Sequence, residues 1–183
     1  MPDSLAAAMQ AFDDRVERWL APHRSPALDP LFYGLSSAAD HGLLWLALAA
    51  SRGGRRGDAA WVGRVALALG LESALTNGPV KWLFRRVRPP DHYEHTDPLP
   101  YGMHRPITSS FPSGHAVSAF SAATVISAGS SAAPAWYALA GLVAASRVYV
   151  RLHHASDVVA GAALGLVLGR IARAAVGSPR PAN

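Results

Sequence analysis

Five apolar segments, at approximately 31–50, 59–84, 115–129, 134–150 and 158–176, constrain this chain more than any other feature. Each is bounded by Arg/Gly, Pro/His or Ser/Gly/Pro stretches that interrupt a helix. A bilayer core takes about 20 helical residues, within a range of about 17–25. The first two segments are long enough, the last two are acceptable, and 115–129 is short. The short one can still cross if its start, Pro112 to His115, opens into a water-filled recess walled by protein. No strand-like alternation, long repeat or low-complexity tract competes with this pattern, so the expectation is an all-α integral membrane bundle of five transmembrane helices. Composition agrees: half of the 183 residues are hydrophobic and only 16% are charged, against roughly 25% in soluble domains.

Nothing divides the chain internally, and 1–183 is read as a single domain. Residues 1–30 form an N-terminal amphipathic segment. Within it Leu5, Met9, Phe12, Val16, Trp19 and Leu20 fall at helical spacing, with Asp13, Asp14, Arg15, Glu17 and Arg18 largely opposite. A helix over 4–20 lying along the bilayer surface accounts for this, as does a helix packed on a core. The acidic residues leave no room for a basic start followed by an apolar stretch, so no signal peptide is expected. Gly161, Gly165 and Gly169 recur every fourth position and make a stripe on which another helix can approach closely.

The net charge is +5, which suits nucleic acid, anionic lipid or a phosphate-bearing substrate. The arginines are scattered between apolar stretches with no aromatic-basic module, which argues against nucleic acid. There are no cysteines, so disulfides and thiolate metal sites are excluded. Asp40, His41, Glu72, Asn77 and Lys81 interrupt apolar segments and are expected to face inward. Asp40, His41 and Glu72 are read first as paired structural groups.

Three clusters carry chemistry. Lys81 and Arg88, seven apart before Pro89 and Pro90, which are expected to stop the helix, should point from one face of its end and hold an anion; alone, the cluster reads first as a juxtamembrane anchor. Pro112-Ser113-Gly114-His115 leads into the third long helix. Its free N–H groups, the Ser113 hydroxyl and the open approach at Gly114 make an anion cradle, and His115 stands where a proton donor is wanted. In the third, Ser146 to Asp157, a helical turn puts Asp157 one turn from His153, so the carboxylate can accept Nδ1–H and leave Nε2 as a nucleophile. Arg147 adds a cation. With five spans, the ends of the second and fourth helices and the starts of the third and fifth share one membrane side, so the clusters meet.

On these residues the chain resembles the type 2 phosphatidic acid phosphatase (PAP2) family, which also includes soluble acid phosphatases and vanadium haloperoxidases. The family signatures K-x6-R-P, P-S-G-H and S-R-x5-H-x3-D read here as Lys81 with Arg88-Pro89, Pro112 to His115, and Ser146-Arg147 with His153 and Asp157. The resemblance covers about residues 59–176, the motif-bearing core. Membrane members commonly have six spans, and the surface helix stands here in place of the first. The resemblance implies that His153 attacks phosphorus, that His115 protonates the leaving oxygen and later activates water, and that Asp157 orients His153. Lys81, Arg88, Ser113, Gly114 and Arg147 would hold the phosphoryl oxygens, fixed cations replacing magnesium, with no metal and no cofactor. His154 is read as a packing neighbour, and His92, His95 and His104 as solvated loop residues.

The function this implies is hydrolysis of a lipid phosphate monoester or diphosphate, on a phospholipid or a polyprenyl carrier, through a phosphohistidine. The rivals are a phosphotransferase of the same family and a non-enzymatic anion-binding or transport protein. Self-association stays open. Ala/Arg-rich usage points to a bacterial plasma membrane, and Arg52 to Arg56 with Arg170, Arg173 and Arg180 favour a cytoplasmic assignment for that end, leaving the site outside.

Overall fold

The computed structural model describes residues 3–89 and 108–181, which are helical with no strand among them. The helices are α1 (Asp3–Leu20), α2 (Asp29–Ala38), α3 (Leu43–Gly54), α4 (Ala59–Leu75), α5 (Gly114–Ile126), α6 (Ala133–Tyr149) and α7 (Ala155–Val176). α4 runs on through a π-helical stretch, Thr76–Val80, and a final turn, Lys81–Leu83. Pro79 lies inside the π stretch. Proline has no N–H to donate to an α-helical partner, and a widened turn absorbs that loss.

The apolar run 31–50 is two helices instead of one. His41 (φ 55°) and Gly42 (φ 73°) turn left-handed within the 3₁₀ stretch Asp40–Gly42 and separate α2 from α3. A right-handed helix cannot pass through such residues. The hydropathy of the run is continuous, so the break is carried only by an Asp-His-Gly triplet.

α3 to α7 run between two faces. At one face Arg52 donates to Ala128 O (2.8 Å), Trp61 Nε1 to Gly177 O (3.0 Å) and Arg64 to Val176 O (3.2 Å). Arg52 is therefore buried against the end of α5 and is not a loop charge. At the other face stand the end of α2, the Asp40 turn, the end of α6 and the starts of α5 and α7.

α5 is the central helix. Ala116, Val117, Ala119, Ala122, Ala123, Val125 and Ile126 are all fully buried, as expected of a helix apolar on every side. A short helix suffices there because its neighbours enclose it. The glycine stripe of α7 is what allows the approach: a Cβ at Gly161 would stand 2.6 Å from Ser113 O, at Gly165 2.4 Å from Val117 O, and at Gly169 2.8 Å from Thr124 Cβ. Trp45 of α3 and Trp61 and Val65 of α4 complete the core. Outward, Leu67, Leu71, Leu142, Val159, Val167 and Ile171 are exposed. Among the described residues one helix, α7, is long and apolar enough by itself to cross a membrane.

α1 forms over the expected residues, with Met9, Val16 and Leu20 half-buried and Asp14, Arg15 and Arg18 exposed, but one of its acids turns inward. Asp13 is 5% exposed and points into the bundle, while Leu5, Phe12 and Trp19, at heptad spacing, face away from it.

Candidate active site

Lys81 and Arg88 do converge, though not along a helix face. The helix ends at Leu83, Phe84 is extended (φ −117°, ψ 97°), and the chain doubles back. Ser110 N–H donates to Arg86 O (3.0 Å) and its hydroxyl to Val87 O (3.2 Å). Pro89 comes well after the helix has ended at Leu83 and does not cause that end; Pro90 lies outside the described residues. Arg88 is 2% exposed. Its guanidinium donates to Leu152 O (2.6 Å), Thr108 O (3.2 Å) and Ser109 O (3.3 Å). Lys81 Nζ donates to Thr108 Oγ1 (3.3 Å). Arg147, fully enclosed in the last turn of α6, donates to the Ser36 hydroxyl of α2, and its Nε has no partner among the described residues.

At the start of α5, Ser113 is the N-cap, its hydroxyl accepting from Ala116 N–H at the long distance of 3.5 Å. Its own N–H donates to Asp157 O (3.0 Å), which ties α5 to α7. A Cβ at Gly114 would meet Asn77 Oδ1 at 3.1 Å and Lys81 Nζ at 3.7 Å, so this is a position of close approach. His115 Nε2 is 2.8 Å from Asp40 Oδ1. The carboxylate read as structural is thus the partner of the expected proton donor.

His153 lies in the turn before α7, 3% exposed, with Nε2 3.3 Å from an Arg88 Nη1. Its Nδ1 is 3.7 Å from Asp157 Oδ2, too far for a hydrogen bond. Asp157 is one turn away as expected, but its oxygens are already engaged: Oδ2 accepts His154 N–H (2.9 Å) and Oδ1 accepts Arg86 (2.6 Å). Burial pushes the His153 imidazole well below its ordinary pKa; Asp157 opposes this, and Arg88 and Arg147 add to it. Burial therefore favours the neutral ring, the form a nucleophile needs. His154 is half-buried, with Nε2 3.3 Å from Val87 O.

Lys81, Arg88, Gly114, His115, Arg147 and His153 line one cleft of about 580 Å³, together with Asp40, His41 and Asn77. Ser113 and Asp157 stand behind its wall. Glu72 is buried beside the cleft, accepting from Thr76 (3.0 Å) and Ser118 (2.8 Å), which is the structural role expected of it. Away from the charges the cleft continues between α3 and α4 along Leu46, Ala66, Leu69 and Gly70. Such a site can bind a multiply charged anion at one end and an apolar chain at the other. His92, His95 and His104 lie outside the described residues.

Residues 61–180 match the family model of the PAP2 superfamily. The lipid A 1-phosphatase of Porphyromonas gingivalis is 31% identical over 126 residues, covering 64% of this chain and 25% of the relative; the chain spans about a quarter of that protein's length. Two crystal structures share the fold. One is a transmembrane PAP2-type phosphatidylglycerolphosphate phosphatase from Bacillus subtilis, with a TM-score of 0.73 and 24% identity over 91% of this chain and 85% of that one. The other is LpxE of Aquifex aeolicus, with a TM-score of 0.68 and 28% identity over 86% and 92%. The matched span holds the cations, the cradle and the histidines that line the cleft, and the chain belongs to the PAP2 superfamily.

Proposed function

We propose that the protein is a single-domain membrane phosphatase that removes a phosphate, as monoester or diphosphate, from a lipid without a metal ion. The observation that carries this reading is the placement of His153, its Nε2 3.3 Å from Arg88, in one cleft with Lys81, Arg147 and His115. Nε2 attacks phosphorus while the P–O bond to the lipid breaks, and His115 gives the leaving oxygen its proton. Water, deprotonated by His115, then breaks the P–N bond and restores His153. Lys81, Arg88, Arg147 and the N–H groups at Gly114 hold the phosphoryl oxygens, where charge spreads in the transition state. Asp40 holds the His115 ring through the 2.8 Å contact, and Asp157, 3.7 Å from Nδ1, faces the His153 ring as its counter-charge.

The apolar extension of the cleft and the outward apolar side chains of α4, α6 and α7 support a lipid substrate and a bilayer around the bundle. In this reading α3 to α7 are the five spans, with α1 seated at the site-bearing face and its Leu5, Phe12 and Trp19 in the lipid interface. The membrane is a bacterial plasma membrane with the site outside. The relatives' names support phospholipid and lipid A phosphates as candidates to test beside polyprenyl phosphates.

The test is phosphate release in EDTA from detergent-solubilised protein across a panel of these lipids. Release persists in EDTA, and His153→Ala lowers it by about 10³-fold or more. Unchanged release by that variant, or full dependence on a divalent ion, would falsify the mechanism.

A further inference from the structure

Asp13 reaches the catalytic end from 143 residues away. Its Oδ1 accepts the Ser156 N–H (2.7 Å), and its Oδ2 accepts the Ser156 hydroxyl (2.7 Å) and Arg86 Nη2 (2.6 Å). The other fork of Arg86, Nη1, donates to Ser156 Oγ (2.7 Å) and to Asp157 Oδ1 (2.6 Å). The side chains of Asp13 and Asp157 are 4% and 0% exposed, and that of Arg86 22%.

The first N–H groups of a helix need partners from outside it. In α7 the Ser156 N–H is met by a side chain from α1, so a distant helix anchors the turn that carries Asp157. A fully buried carboxylate must also be offset by a positive charge if it is to stay ionised. Arg86 supplies that charge, and its planar fork suits two acceptors at once. One carboxylate of the pair, Asp157, faces His153 Nδ1 at 3.7 Å, as a charge and not as a hydrogen-bond acceptor. The other, Asp13, lies outside the cleft lining, and the mechanism above gives it no role.

We propose that Asp13 and Arg86 are positioning residues, a clamp through which α1 fixes Asp157 and thereby the ring of His153. This rests on His153 being the nucleophile. The clamp makes α1 part of the catalytic apparatus and not only a membrane attachment.

The test is steady-state kinetics of the full chain with dioctanoyl phosphatidic acid. Asp13→Asn keeps the size of the side chain and removes its charge. Asp13→Asn and Arg86→Ala each lower kcat about 10- to 100-fold, the scale of a misplaced reacting group, and leave KM within about twofold. The double variant is no worse than the more severe single one, and added guanidinium restores part of the Arg86→Ala rate. In an Asp157→Asn background Arg86→Ala has no further effect. Asp14→Asn, a control whose carboxylate accepts from exposed Gln10, runs at the wild-type rate. Wild-type kcat in both clamp variants overturns the proposal, as does a further loss of about tenfold in the Asp157→Asn background, the mark of a merely structural contact. An active His153→Ala would remove the nucleophile reading itself; an inactive His153→Ala beside fully active clamp variants removes only the clamp.

Discussion

Asp40 meets His115 at hydrogen-bond distance, a contact that Asp157, 3.7 Å from His153 Nδ1, does not make. A carboxylate accepting from Nε2 at 2.8 Å fixes the tautomer and rotation of the ring, and a general acid needs both to meet the leaving oxygen. Asp40→Asn therefore lowers turnover of a lipid phosphate by about 10²-fold, within the usual range for general acid catalysis. It costs much less with an aryl phosphate such as p-nitrophenyl phosphate, whose leaving group needs no proton. Equal losses on both substrates would show that Asp40 supports the fold and not proton transfer. The histidines and the cations were legible because their spacings are local and repeat a family signature. Asp40, Arg86 and Asp13 were not, because each meets its partner across 75, 71 and 143 residues, distances that only packing closes. Asp40 did leave a trace, as a carboxylate interrupting an apolar run. Arg86 left none beside Arg85 and Arg88, which have the same chemistry.

At the scale of elements, the site depends on how closely α5 and α7 can pack, since α5 carries His115 and α7 carries Asp157. Gly165 sits at the tightest point, where a methyl group would lie 2.4 Å from Val117 O and 3.0 Å from Val117 Cα. Backbone cannot rotate away as a side chain can, so Gly165→Ala forces the helices apart at about 1–3 kcal/mol. Gly141, in α6, has nothing within 4 Å of the same added atom, and Gly141→Ala is neutral or slightly stabilising. Thermal unfolding in detergent separates the two: the midpoint falls only for Gly165→Ala, and equal midpoints would mean that the stripe is not a packing device. Segments 59–84, 115–129, 134–150 and 158–176 were readable as helices to within a few residues, because sustained apolar character and sharp polar boundaries leave little choice. The run 31–50 was not, because hydropathy registers apolar content while the chain turns on two backbone dihedrals at His41 and Gly42. The helical reading of Lys81 and Arg88 failed for a related reason. Seven residues make two turns only where a helix continues, and here it stops at Leu83.

For the whole molecule, the two faces differ in how their arginines are used. At the site-bearing face Arg86, Arg88 and Arg147 are drawn inward by carboxylates, carbonyls and a hydroxyl, and Arg24 and Arg151 both bind Glu17. At the opposite face only Arg52 is buried, while Arg55, Arg56, Arg170 and Arg173 lie where short loops and helix ends would meet headgroups. Basic residues close to span ends are retained on the cytoplasmic side, which supports the proposed orientation, with the opposite face cytoplasmic and the cleft opening outside. The chain has no cysteine, which makes single introduced thiols clean reporters. Ser131, between α5 and α6, belongs to the cytoplasmic face in this reading; Thr96 comes in sequence between Pro89 and Thr108, which lie at the site-bearing face. A membrane-impermeant maleimide applied to intact cells labels Thr96→Cys and leaves Ser131→Cys untouched until the membrane is permeabilised. Labelling of Ser131→Cys alone would place the cleft in the cytoplasm, where it would meet only lipid phosphates presented by the inner leaflet.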